Sequence, residues 1–199
     1  MQARAVPTVD DLPASRRPNS LLIATGLTVA AGVMLVAGMI GIVLALRNQA
    51  EAPGTSWVPR GVRIPNAPLG MAVFTAILSS ITAQWVVWSN RRQERGHTLV
   101  AVGITIVLGV AWINMVFFSF NFMELPIGSS QWANIAYTLA GMGVALGMVA
   151  IGFLALMAIR VVGGEDGVEG LPPVASAVFF WHFSVVAFIA LWYAVFVVK

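Results

Sequence analysis

With 59% apolar and 10% charged residues over 199 positions, the chain lacks the polar surface needed to cover a soluble globule, so a soluble domain is excluded. The formal charge of +3 comes from loop residues and forms no basic stripe with interleaved aromatics, which argues against nucleic-acid binding. With no cysteine, the chain offers no disulfide, thiolate metal site or iron–sulfur ligation.

Five apolar runs are long enough to cross roughly 30 Å of hydrocarbon, at about 20 residues each. Residues 1–19, with Arg4, Arg16, Arg17, Asp10, Asp11 and three prolines, read as a solvated tail. The first span, about 20–46, is too long for a signal peptide and has no small-residue cleavage site, so it is expected to be retained. Segment 47–67 carries three prolines and Trp57; the reading is an irregular stretch lying across the membrane surface, with Trp57 at headgroup level. The second span, about 68–90, repeats Ala72, Ala76 and Ser80 every four residues and contains Gln84.

A charged turn, "NRRQERGHT", follows. Its His97 reads as a solvated or headgroup residue. The third span, about 98–122, holds Asn114, and the fourth, about 132–160, holds Gly143 and Gly147 as a GxxxG pair. The loop "GGEDGVEGLPP" reads as a solvated turn, since its acids lack EF-hand spacing. The fifth span, about 174–198, contains a lone histidine, His182.

Continuously apolar segments satisfy their backbone in lipid only as helices, and the alternation of outer-membrane strands is absent. The expected fold is an all-α bundle of five transmembrane helices in one domain, residues 20–199. Arg4, Arg16, Arg17, Arg91, Arg92, Arg95 and Arg160 fall on one side; Arg47, Arg60, Arg63 and Lys199 fall on the other. The positive-inside rule then expects the N-terminus in the cytoplasm and the C-terminus outside.

Membrane haem and copper sites require several imidazoles, and this chain has two histidines. The eight acids, Asp10, Asp11, Glu51, Glu94, Glu124, Glu165, Asp166 and Glu169, all lie in tails or loops. A proton relay through the spans is therefore not expected. Gln84, Asn114 and His182 are the main polar side chains within the spans, with Ser79, Ser80 and Thr82 near Gln84. Each reads first as an interhelical hydrogen bond, worth about 0.6 kcal/mol on average. His182 is about 13 Å from its helix start, at 1.5 Å per residue, and is expected to face protein.

Trp181-His182-Phe183 in the last span resembles the Trp-His-Phe motif of subunit III of haem–copper (cytochrome c) oxidases, in its short five-helix form. "LSSITAQWVVWSNRRQERG" is similar to that family's Ser-Ser segment before a charged turn, and Leu108, Gly109, Val110, Ala111 and Trp112 to its third-helix segment. "SSQWANIAYTLAG" is similar to the aromatic-rich approach to its fourth helix. The chain departs from the family in lacking a glutamate in "TVAAGVMLVAG", in replacing a histidine-containing fourth-helix motif with Gly141 to Gly147, and in carrying Val185 where an aspartate is usual.

The resemblance implies a non-catalytic subunit of a respiratory terminal oxidase in a bacterial plasma membrane, with no cofactor in this chain. It places haem and copper in partner subunits and allows bound phospholipid. Trp181, His182, Phe183, Asn114, Gln84, Gly143 and Gly147 are the expected helix-packing or partner-contact residues. The alternatives are a self-associating small transporter or channel subunit, with a pore lined by Gln84, Asn114 and the serines, and a subunit III-like accessory of a related reductase or monooxygenase.

Overall fold

The computed structural model describes residues 20–50, 57–164 and 171–197. The regular structure there is helical throughout: α1 (Ser20–Ala50), α2 (Asn66–Arg91), α3 (Arg95–Met123), α4 (Gln131–Val162) and α5 (Leu171–Trp192). A π-helical turn over Tyr193–Val197 continues α5. All five helices are long and apolar enough to cross a membrane. The expected tail 1–19 and the acids of the 165–170 loop lie outside the described residues.

Several prolines start helices. Pro68 sits in the first turn of α2, and Pro172 and Pro173 in the first turn of α5. A proline there loses no intrahelical bond, because the first N–H groups have no partner, and its fixed φ already suits a helix. α4 starts by a different device: the Ser130 hydroxyl accepts a 3.1 Å bond from the Ala133 N–H. Between α2 and α3, Gln93 N–H reaches the Asn90 carbonyl and Glu94 N–H the Ser89 carbonyl, both at 3.1 Å. That is a Schellman closure, with Gln93 at φ 59° in the position usually given to glycine.

In the packing, α2 meets α3, α3 meets α4, α4 meets α5, and α5 meets α2, a closed ring of four helices. α1 lies outside the ring against α5. The most apolar window of α5 is 67% buried and that of α1 only 17%, so α5 is the centre of the molecule and α1 its periphery.

Lipid tails are as apolar as leucine, so contact between these helices depends on close van der Waals packing. The sequence supplies it by pairing glycines with aromatic rings. A Cβ added to Gly147 would come within 2.7 Å of the Trp112 ring, and one on Gly143 within 3.2 Å of Phe188. Gly109 stands in the same way against the Trp181 ring, and Gly32 of α1 against Phe183. On α2 the small face runs Ala72, Ala76, Ser79, Ala83, all buried, while Ser80 is only half-buried. A strict four-residue repeat drifts off a 3.6-residue helix, so the stripe steps back to Ser79.

Trp57 departs from expectation. It is 7% exposed and belongs to the core, with Val58, Val62 and Ile64 packed against that core. The 57–65 stretch therefore folds onto the end of the bundle, because its apolar side chains find protein there rather than headgroups.

Leucine at Gly147 must displace the Trp112 ring, whereas Gly103 has nothing within 4 Å of the added atom. Gly147→Leu is expected to cost about 1–3 kcal/mol through overpacking and Gly103→Ala to be near neutral, read as thermal unfolding midpoints in detergent.

Candidate functional site

Trp181, His182 and Phe183 lie in the middle of the central helix, and consecutive helical positions point about 100° apart. The three side chains therefore address different neighbours. Trp181 is 1% exposed; its ring fills the space at Gly109 of α3, and its indole N–H donates a 3.1 Å hydrogen bond to the Ser79 hydroxyl on α2. Ser79 in turn donates to the Ala76 carbonyl at 2.6 Å. Phe183 turns to α1 at Gly32. His182 Nε2 lies 3.4 Å from the Gln84 side-chain oxygen of α2.

An aromatic stack extends this junction. Trp112 lies between Trp181, with ring centres 6.3 Å apart and planes 21° from parallel, and Phe188 at 4.8 Å. Among the largest fully buried side chains are three tryptophans, Trp112, Trp132 and Trp181. Among the described residues the indole N–H groups of Trp112 and Trp132 have no hydrogen-bond partner, whereas that of Trp181 does. The Trp181–Ser79 bond is thus a specific tie between α5 and α2, beyond the packing that all three rings provide.

Hydroxyl pairs join α2 to α3 beside it. The Thr105 hydroxyl donates to that of Thr82 at 2.9 Å, and Thr82 donates to the Ser79 carbonyl at 2.9 Å. Further along, Thr98 donates to the Ser89 hydroxyl at 3.1 Å, and Ser89 to the Trp85 carbonyl at 2.9 Å. Thr98 and Thr105 were not singled out in the sequence. Their buried spacing of seven residues, two helical turns, is the signal that could have found them. Asn90 was also missed: it is 1% exposed and both of its amide atoms lack a partner among the described residues.

The expected contact residues fall into two groups. Trp181, Phe183, Gly143 and Gly147 are buried between helices of this chain. Gln84 and Asn114 are exposed, and His182 is half-buried. Asn114 was expected to bond across helices. It instead stands on the outward face of α3 with Val107 and Val110, and no hydrogen bond of its side chain is found among the described residues. That face is outward because Gly109, Trp112 and Val116 take the opposite side.

His97 Nδ1 lies 3.2 Å from the Glu94 carboxylate on the α2–α3 turn, His182 faces Gln84, and no group of three potential ligands occurs among the described residues. Fold and site define an all-α, multi-pass membrane protein in which several hydroxyl groups join helices. Compared with family models and with curated proteins, the sequence gives no match.

Removing the Ser79 hydroxyl strands the buried Trp181 N–H. Ser79→Ala is expected to cost about 1–3 kcal/mol, measured by thermal unfolding in detergent. A double-mutant cycle of Gln84→Leu and His182→Leu should give a coupling near 0.6 kcal/mol.

Proposed function

We propose that the chain is a non-catalytic, subunit III-like component of a respiratory haem–copper terminal oxidase, holding a haem-bearing partner intact in a bacterial plasma membrane. The observation that carries this reading is the position of Trp181-His182-Phe183, the motif of the resemblance. It occupies the one helix that touches α1, α2 and α4, and its side chains engage α1, α2 and α3. A motif built into the junction of the fold suits a scaffold, whose task is to present a rigid surface.

Gln84, Asn114 and half of His182 face outward from an apolar bundle. Polar side chains at such positions are costly in hydrocarbon and gain from hydrogen-bonding groups on a neighbouring membrane protein. In this reading the partner holds the haem and copper, oxidises cytochrome c or a similar donor, and reduces oxygen. The N-terminus lies in the cytoplasm, as the distribution of arginines suggests.

A channel formed by this chain has less support. Its lining residues do not converge within one copy: Ser79 is buried against Trp181, while Asn114 points away from the bundle. Attachment to a related reductase or monooxygenase shares every feature above and differs in the optical spectrum of the complex.

Purification in mild detergent is expected to recover the chain with a haem-bearing subunit and its absorbance. Gln84→Leu with His182→Leu, at about 0.6 kcal/mol for each lost contact, should weaken that association roughly eightfold. A chain that migrates alone and conducts ions in liposomes overturns the proposal.

A further inference from the structure

The α2–α3 turn concentrates positive charge, and the fold uses only part of it. Arg95 donates to the Val162 carbonyl, tying the start of α3 to the end of α4. Glu94, the acid of this turn, faces His97. Arg91 and Arg92 are exposed, and neither meets a carboxylate among the described residues. Arg92 lies flat on Trp88, its guanidinium carbon 3.8 Å from the ring centre.

Trp88 is 47% exposed and stands at the end of an outward apolar row on α2, with Phe74 at 68%, Ile77 at 46% and Ile81 at 64%. Arg91 and Arg92 follow Trp88 by three and four residues, so all three side chains share one side of the helix end. The Schellman closure at Gln93 fixes the backbone from which they project. A guanidinium stacked on an indole keeps its edge N–H groups available, and that edge matches two oxygens of a phosphate. Tryptophan prefers the depth at which the hydrocarbon meets the headgroups. Exposed arginines also occur at Arg60 and Arg63, but the tryptophan near them in sequence, Trp57, is buried in the core.

We propose that Trp88, Arg91 and Arg92 form a binding site for the headgroup phosphate of an anionic phospholipid, one acyl chain of which lies along Phe74, Ile77 and Ile81. Two cations that meet no carboxylate among the described residues supply the preference for a net negative lipid over a zwitterionic one. The apolar row supplies the preference for a lipid over free phosphate. This site depends only on the chain crossing a membrane and is independent of the oxidase reading.

The full chain, purified in neutral detergent, is titrated with phosphatidylglycerol, phosphatidylcholine and inorganic phosphate, with bound lipid counted by native mass spectrometry and the unfolding midpoint followed in parallel. Phosphatidylglycerol is expected to bind and stabilise in preference to phosphatidylcholine. Arg91→Gln with Arg92→Gln should lower its affinity roughly thirtyfold, whereas Arg60→Gln with Arg63→Gln should leave it unchanged. Trp88→Leu, a lipid-facing change that keeps both charges, should lower it about two- to fivefold and serves if the double variant does not fold. Equal affinity for the two lipids, an unchanged affinity for phosphatidylglycerol in the Arg91/Arg92 or Trp88 variants, or an equal response to inorganic phosphate overturns the proposal.

Discussion

The structure depends on aromatic rings seated where neighbouring helices have no Cβ. Four such contacts, Trp181 at Gly109, Trp112 at Gly147, Phe188 at Gly143 and Phe183 at Gly32, connect α1, α3, α4 and α5. In water the burial of such rings would itself drive association. In lipid it does not, because the separated helices are surrounded by an equally apolar medium. What remains is the gain in dispersion from ring against backbone, and each methyl group added at a seat removes part of it. This makes α5 central: its aromatic side chains Trp181, Phe183 and Phe188 make three of the four contacts.

Hydrogen bonds add direction to that packing. Ser79 receives the Trp181 N–H, Thr82 receives Thr105, and Ser89 receives Thr98, so α2 is tied to α5 once and to α3 twice on its buried side. Each bond is small, but each fixes a rotation and a height that ring-on-glycine contacts alone leave adjustable. Ser79, Ser89, Thr98, Thr105 and Trp181 are buried and Thr82 is half-buried, whereas Gln84 and Asn114 are outward. The division separates groups that hold the bundle together from groups that another molecule in the membrane can reach.

The same division organises the charged end. Arg95 is spent on the Val162 carbonyl and Glu94 on His97, which leaves Arg91, Arg92 and Trp88 presented outward on a closed turn. One helix, α2, thus carries a buried face that builds the fold, an outward apolar row, and a cationic end.

Composition and run length by themselves determined that the protein is helical, crosses a membrane and has five spans, because backbone polarity in hydrocarbon leaves no other arrangement. The GxxxG pair and Trp181-His182-Phe183 were visible as text, but not their pairings. Local pattern cannot say that Gly147 receives Trp112, that Gly143 receives Phe188, or that Trp181 spans to Ser79, since each joins residues far apart in the chain. Nor does it decide that Asn114 faces out, Trp57 faces in, and the small stripe of α2 passes through Ser79. Those follow from helix rotation, which in an apolar solvent is set by the fit of neighbouring side chains and leaves little hydrophobic asymmetry in the sequence to read.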